Sequence, residues 1–329
     1  MDSTKQQWTT WLSSIPLDQQ AVLAELLVEK GVGKSNGKSA HAPETDKVIV
    51  TRTPTEDLYI ENPPPYVDVF GFHNLYEKLA FEQNLLLKGP KGDGKTLSVF
   101  AYASQKHIPV VVQECSEDTK SFNLMGSQSM IGEKTIFTLG ALPTAIEVAN
   151  ETGFCILLLE ELNALTPQVQ KQLNALTDFR QMVSMPFIGK SYKLLPMQKL
   201  WVVGTMNPSV YGGTYDLNED LKSRFEELDI TYPEHAQEKG ILKAVCGNII
   251  DDKMYDLIIR FAKETRQQAT GYALSTRDVV RLVKNVSKLG LDTALQMVVC
   301  KFEGEDRDTV MKRMSSVFGP KNTKKYWGA

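Results

Sequence analysis

The stretch that most narrows what this chain can become is Asn84 to Thr96, NLLLKGPKGDGKT. Leu85, Leu86 and Leu87 make an apolar run of the length of a buried strand. Gly89, Pro90, Lys91, Gly92, Asp93, Gly94, Lys95 and Thr96 follow, and they satisfy G-x-x-x-x-G-K-[ST] at every fixed position. Leu97 to Ala103 then reads as a helix. Strand, glycine loop and helix in that order make an anion cradle. Glycines let backbone N–H groups close around a phosphate, and the helix N-terminus adds partial positive charge. Gly89 through Leu97 is therefore the candidate phosphate-binding set, with Lys95 reaching the β- and γ-phosphates and Thr96 serving as a ligand to Mg²⁺.

The chain around this loop is long enough, at 329 residues, for two domains or for one large domain with attachments. A hydrophobic content of 42% supports a packed core, and a net charge of −3 argues against a generally nucleic-acid-binding surface. Met1 to Trp11 is polar, unlike a signal peptide, and no apolar run approaches a membrane span. Cys115, Cys155, Cys246 and Cys300 are scattered without a C-x-x-C pair, so neither a disulfide framework nor a zinc site is expected. The expected setting is cytoplasmic.

Residues 1–30 are expected to form a helical arm broken at Pro16, and 31–47, rich in Gly, Ser and Lys, a flexible linker. Lys47 to Thr53 is a candidate strand, and His73 to Phe81 a helix leading into the loop. His107 to Cys115 holds a second strand and Gly140 to Glu151 a helix. Gly153 to Leu159 is a third strand, closed by Glu160 and Glu161. Met182 to Leu200 alternates around Gly189 as a β-hairpin with a basic tip, Lys190, Lys193 and Lys199 lying in or near it, and Leu200 to Val203 is a fourth strand. Strands alternating with helices predict a mostly parallel sheet with helices on both faces. From Glu234 to Phe318 the periodicity turns helical, as for a small separate domain. Residues 320–329 read as a basic tail.

Four further groups carry candidate chemistry. A carboxylate at a strand end beside the glycine loop can hold Mg²⁺, which suits Glu160, and its neighbour Glu161 can orient and deprotonate water. Asn207, after the fourth strand, can position that water or sense the terminal phosphate, although an Asn before Pro208 also starts an ordinary turn. Arg224, at a helix end, can be delivered to the phosphate of a neighbouring subunit. Arg277 lies beside Ser275, a candidate helix cap, and can also reach phosphate.

Taken in order, these segments resemble the AAA+ ATPases, and within them the MoxR-like branch and its CbbQ/NorQ group. LLLKGPKGDGKT looks like the Walker A segment and GALPTAI like the helix before Walker B. GTMNPS resembles sensor 1, LKSRFEELDITYP the arginine-finger segment and LSTRDVVRLV the sensor 2 helix. The resemblance runs from Val48 to Phe318. It implies an α/β fold, an AAA+ P-loop αβα sandwich (48–232) with a parallel central sheet, then a small all-α lid (233–318). The helical arm (1–30), linker (31–47) and tail (319–329) fall outside those two units. It implies Lys95 and Thr96 as Walker A, Glu161 as the catalytic Walker B glutamate, Asn207 as sensor 1, Arg224 as the finger and Arg277 as sensor 2. ATP and Mg²⁺ are the implied cofactors. Glu160 departs from the family, which usually has Asp there.

The resemblance also implies a homo-oligomeric ring, usually a hexamer, that remodels or activates a partner protein complex. That client commonly carries a von Willebrand factor A domain. Two other functions fit the residues. One is a nucleic-acid-linked motor using the basic hairpin; the other is an ATP-binding scaffold ring with negligible turnover. No membrane partner is expected.

Overall fold

A computed structural model describes residues 48–132, 134–207, 215–267 and 272–319. The arm, the linker and the basic tail at 320–329 lie outside the described residues. From the first described residues the chain runs through β1 (Ile49–Thr51) and α1 (Phe72–Leu79) into β2 (Asn84–Lys88) and α2 (Lys95–Lys106). It continues through β3 (Val110–Glu114), α3 (Ser121–Met125), β4 (Gly126–Ile131), β5 (Lys134–Leu139) and α4 (Ala141–Thr152) to β6 (Phe154–Glu160). After short helical turns come the hairpin β7 (Met182–Met185) and β8 (Lys190–Lys193), then β9 (Lys199–Met206) and β10 (Phe225–Asp229).

Five of these strands form one parallel sheet in the order β10-β2-β9-β6-β3. Alternation along its strands divides the core. Leu86, Leu157, Leu159 and Val202 face α4, whereas Leu85, Leu87, Ile156, Leu158 and Val203 pack with α1 and α2. A parallel strand covered on both sides must be apolar throughout, and Cys155 to Leu159 are indeed buried without interruption. On the α1–α2 side Tyr76, Tyr102 and Trp201 meet edge-on with ring centroids 5.4–6.0 Å apart. Two of the three have partners for their polar atoms: Tyr76 Oη shares a hydrogen bond with Ser98 and Trp201 Nε1 donates to the Gln83 carbonyl.

Several expectations need correction. α2 starts at Lys95, inside the glycine motif itself, rather than at Leu97. The polar stretch before Gly140 holds α3 and a β4–β5 hairpin that pairs with β1 in a second, three-stranded sheet. Phe225–Asp229, unforeseen, is an edge strand of the main sheet. The basic hairpin exists, turning at Gly189, and Lys199 lies near it rather than in it. It opens β9 and donates from Nζ to the Phe81 carbonyl, and burial lowers its pKa.

The last helices are α5 (His235–Cys246), α6 (Asp252–Arg266), α7 (Thr276–Leu289), α8 (Leu291–Val299) and α9 (Gly304–Phe318). They enclose a core of their own, with Tyr255, Phe261, Val279, Val283, Leu295 and Met314 at its centre. Ser275 caps α7 as expected: its Oγ accepts from Asp278 N, and Asp278 Oδ2 accepts from Ser275 N. A buried ion pair joins α5 to α6, and the same arginine reaches back to the segment leading into the bundle. Arg266 holds Glu238 through both Nη atoms at 2.7 and 2.8 Å, and its guanidinium lies 4.1 Å over the Tyr232 ring. No helix among the described residues is long and apolar enough to cross a membrane.

Candidate nucleotide site

The loop between β2 and α2 bends back on itself because Gly92 and Gly94 take φ values of +77° and +99°, which an L side chain rarely adopts. Gly92 has a second constraint. A Cβ there would come within 2.7 Å of Ser275 Oγ, so the loop and the start of α7 are in close contact. Arg277 N–H reaches the Gly92 carbonyl at 3.4 Å.

Lys95 is buried at the loop's centre. Its ammonium donates to the carbonyls of Gly89 (2.8 Å) and Pro90 (2.7 Å) and to the Asp93 carboxylate (3.1 Å). Burial works against both charges, pushing the Asp93 carboxyl up and the Lys95 ammonium down from their ordinary values, while each charge supports the other. The ammonium also reaches Asn207 Oδ1 at 3.3 Å. The same amide donates from Nδ2 to Glu161 Oε1 at 3.3 Å. An ammonium can only donate and a carboxylate can only accept, so Asn207 is oriented by its partners as a bridge between Lys95 and Glu161.

Glu160 and Glu161 diverge at the end of β6. Glu160 stays in register, opposite Glu114, and its Oε1 accepts a short hydrogen bond from the Thr96 hydroxyl. Glu161 leaves the strand with φ +54°, an uncommon conformation for a residue with a Cβ. Its N–H donates to Thr205 Oγ1 at 3.2 Å. The αL turn separates the two carboxylates, leaving one against Thr96 and the other exposed beside Asn207. Behind them the Cys115 thiol is pushed up to about 12 by burial and by the nearby Glu160 and Glu161 carboxylates.

Asn163 was not foreseen in the sequence. It is 1% exposed, its Nδ2 donates to the Asn207 carbonyl at 3.1 Å, and its Oδ1 is buried without a partner among the described residues. It fixes the backbone that carries Asn207. Only its place two residues after Glu161 could have suggested this.

The structure therefore gathers Gly89 to Leu97, Glu160, Glu161, Asn207 and the start of α7 with Arg277 at the C-terminal edge of the sheet. The residues fit a magnesium nucleotide. The loop offers an anion cradle, and the Thr96 hydroxyl beside the Glu160 carboxylate is an all-oxygen pair of the kind Mg²⁺ takes. Arg224 is elsewhere. It precedes Phe225, which pairs with Asn84 at the start of β2, whereas the loop follows Lys88 at the other end. That separation is about 13 Å at a strand's rise. The guanidinium is held on the far side, with Nη1 3.6 Å from Asp178 Oδ2.

Residues 84–225 match the family model described as AAA domain (dynein-related subfamily). The chain is 29% identical over 197 residues to the uncharacterized protein YojN of Bacillus subtilis, covering 60% of this chain and 63% of that relative. It thus spans less than two thirds of YojN's length. An uncharacterized protein of Staphylococcus haemolyticus is 26% identical over 252 residues, 73% of this chain and 92% of the relative. Among solved structures, the Thermotoga maritima RuvB Holliday junction branch migration motor aligns at 18% identity with a TM-score of 0.44, over 78% of this chain and 73% of that one.

Proposed function

We propose that this chain is a magnesium-dependent ATPase of the MoxR-like kind, close to the CbbQ/NorQ group, that works as a ring and remodels or activates a partner protein complex. The observation that carries the reading is the split between the two ends of the strands. Every candidate group except Arg224 converges at the C-terminal ends of the strands, and Arg224 sits at the opposite end, away from its own loop, as expected of a group that serves another copy. Head-to-tail contacts of this kind close into rings; a hexamer is the form the resemblance points to, in the cytoplasm.

In this reading Gly89 to Leu97 cradle the phosphates and Lys95 balances the charge of the β- and γ-phosphates. Thr96 and Glu160 would hold Mg²⁺, which supplies further charge neutralisation when bound. Glu161 orients water and takes its proton, steadied by Asn207. Arg277 follows α7 onto the loop, so movement of the 233–318 lid against the 48–232 unit can report the nucleotide to a client. A protein bearing a von Willebrand factor A domain is the client the resemblance favours. Glu161→Gln tests the core of this. Phosphate release is expected to fall by about 10²–10⁴-fold with nucleotide binding retained. A variant that keeps its turnover would remove Glu161 from the chemistry.

The Glu160 position separates this ATPase from a scaffold that binds nucleotide without turning it over. Aspartate lacks one methylene and would open a gap to Thr96 that a hydrated cation can fill. Glu160→Asp is expected to keep or raise steady-state phosphate release. Collapse of activity would mean that glutamate's reach is required. A nucleic-acid motor is the second reading, favoured by Lys190 and Lys193, both exposed on β8. Its signature would be turnover stimulated by single-stranded DNA and lost in Lys190→Ala/Lys193→Ala. The net charge of −3 weighs against it.

A further inference from the structure

We propose that Arg180 is a second arginine delivered, together with Arg224, to the nucleotide held by the next copy of this chain. The inference rests on the reading above, that copies share their sites. It starts from an imbalance of charge. The Asp178 carboxylate holds both guanidiniums. Arg180 engages it through Nε at 3.0 and 3.1 Å and through Nη2 at 2.6 Å, while Arg224 reaches it only at 3.6 Å. Arg224 Nε is buried and has no hydrogen-bond partner among the described residues. Two forks of five donors each thus share one acceptor group. A polyphosphate, with several oxyanions in one plane of approach, would meet the donors that Asp178 leaves over.

The two arginines are also tied to one another through the backbone. Asn84 Nδ2 donates to the Thr177 carbonyl at 3.0 Å and to the Arg224 carbonyl at 3.1 Å, clamping the turn that carries Arg180 to the strand start that carries Arg224. Between them Phe179 is 93% exposed, a large apolar ring at the rim of a cleft of about 410 Å³ that Arg224 and Trp201 also line.

The alternative is that the Asp178–Arg180 pair merely locks its own turn. Asp178→Asn, which breaks the pair but keeps both arginines, separates the two: turnover is expected to hold, whereas a turn lock predicts the loss seen in Arg180→Ala. The Arg180 side chain is 48% exposed, so Arg180→Ala leaves the packing intact. Full-length Arg180→Ala alone is expected to bind a fluorescent ATP analogue normally and to release phosphate at least about tenfold more slowly. Mixed in equal amounts with Glu161→Gln, which keeps its arginines, it is expected to recover about a quarter of wild-type turnover, because half the subunits carry an intact site and half of those meet an intact neighbour. Wild-type turnover of Arg180→Ala alone, or no recovery on mixing, overturns the proposal. Arg224→Ala mixed with Glu161→Gln distinguishes the causes. Recovery there without recovery for Arg180 leaves the shared site standing and removes Arg180 from it. Failure of both mixtures overturns the shared site itself.

Discussion

Arg224→Ala is expected to leave nucleotide binding unchanged and to lower phosphate release by about 10³-fold or more. The separation of the two effects follows from position. Arg224 contributes nothing to its own loop, which lies beyond the far end of β2. Its backbone carbonyl, not its side chain, takes the Asn84 hydrogen bond, so truncation leaves that clamp in place. The cost to the fold is small, since the side chain gives up only a 3.6 Å pairing with an Asp178 already satisfied by Arg180. Equilibrium binding and steady-state phosphate release on the same preparation check it. Unchanged turnover would remove the trans-acting role, and loss of binding would put Arg224 in its own site.

Lys95→Ala is expected to abolish phosphate release and to weaken nucleotide binding severely, for two reasons that add. The ammonium that balances phosphate charge is gone. In addition, the Asp93 side chain, 1% exposed, loses the cation beside it and becomes a buried carboxylate pointing at the phosphate cradle. Repulsion of the ligand and a stability loss of about 3–5 kcal/mol should accompany each other. Lys95→Ala/Asp93→Asn, which removes the stranded charge, is expected to regain stability without regaining turnover. Thermal unfolding of the two variants beside their phosphate release checks both halves. Equal stability of the two would show that Asp93 is not held by Lys95.

What could be read in the sequence was what local signals encode. The glycine loop, the uninterrupted apolar run of β6, the Ser275 cap and the hairpin around Gly189 each depend on neighbours within a few residues. β10 escaped notice because Phe-Glu-Glu-Leu-Asp at a sheet edge exposes most of its side chains, so it lacks the apolar run of the inner strands. The β4 strand, Gly-Ser-Gln-Ser-Met-Ile, has no apolar alternation either and is held by backbone pairing with β5. The candidate site was legible as a set of residues but not as an arrangement. Nothing local shows that Asn207 bridges Lys95 and Glu161, that Glu161 turns out at φ +54°, or that Asp178 and Arg224, 46 positions apart, share a corner away from the loop. Those facts come from strand register, which long-range pairing sets.

The most direct test of the central claim, a site completed by a second copy, is phosphate release per subunit across a dilution series of the wild-type protein at saturating ATP. The account predicts that turnover per subunit falls steeply as rings come apart and that size measured in parallel falls with it. Full turnover per subunit in a species of monomer size would contradict it.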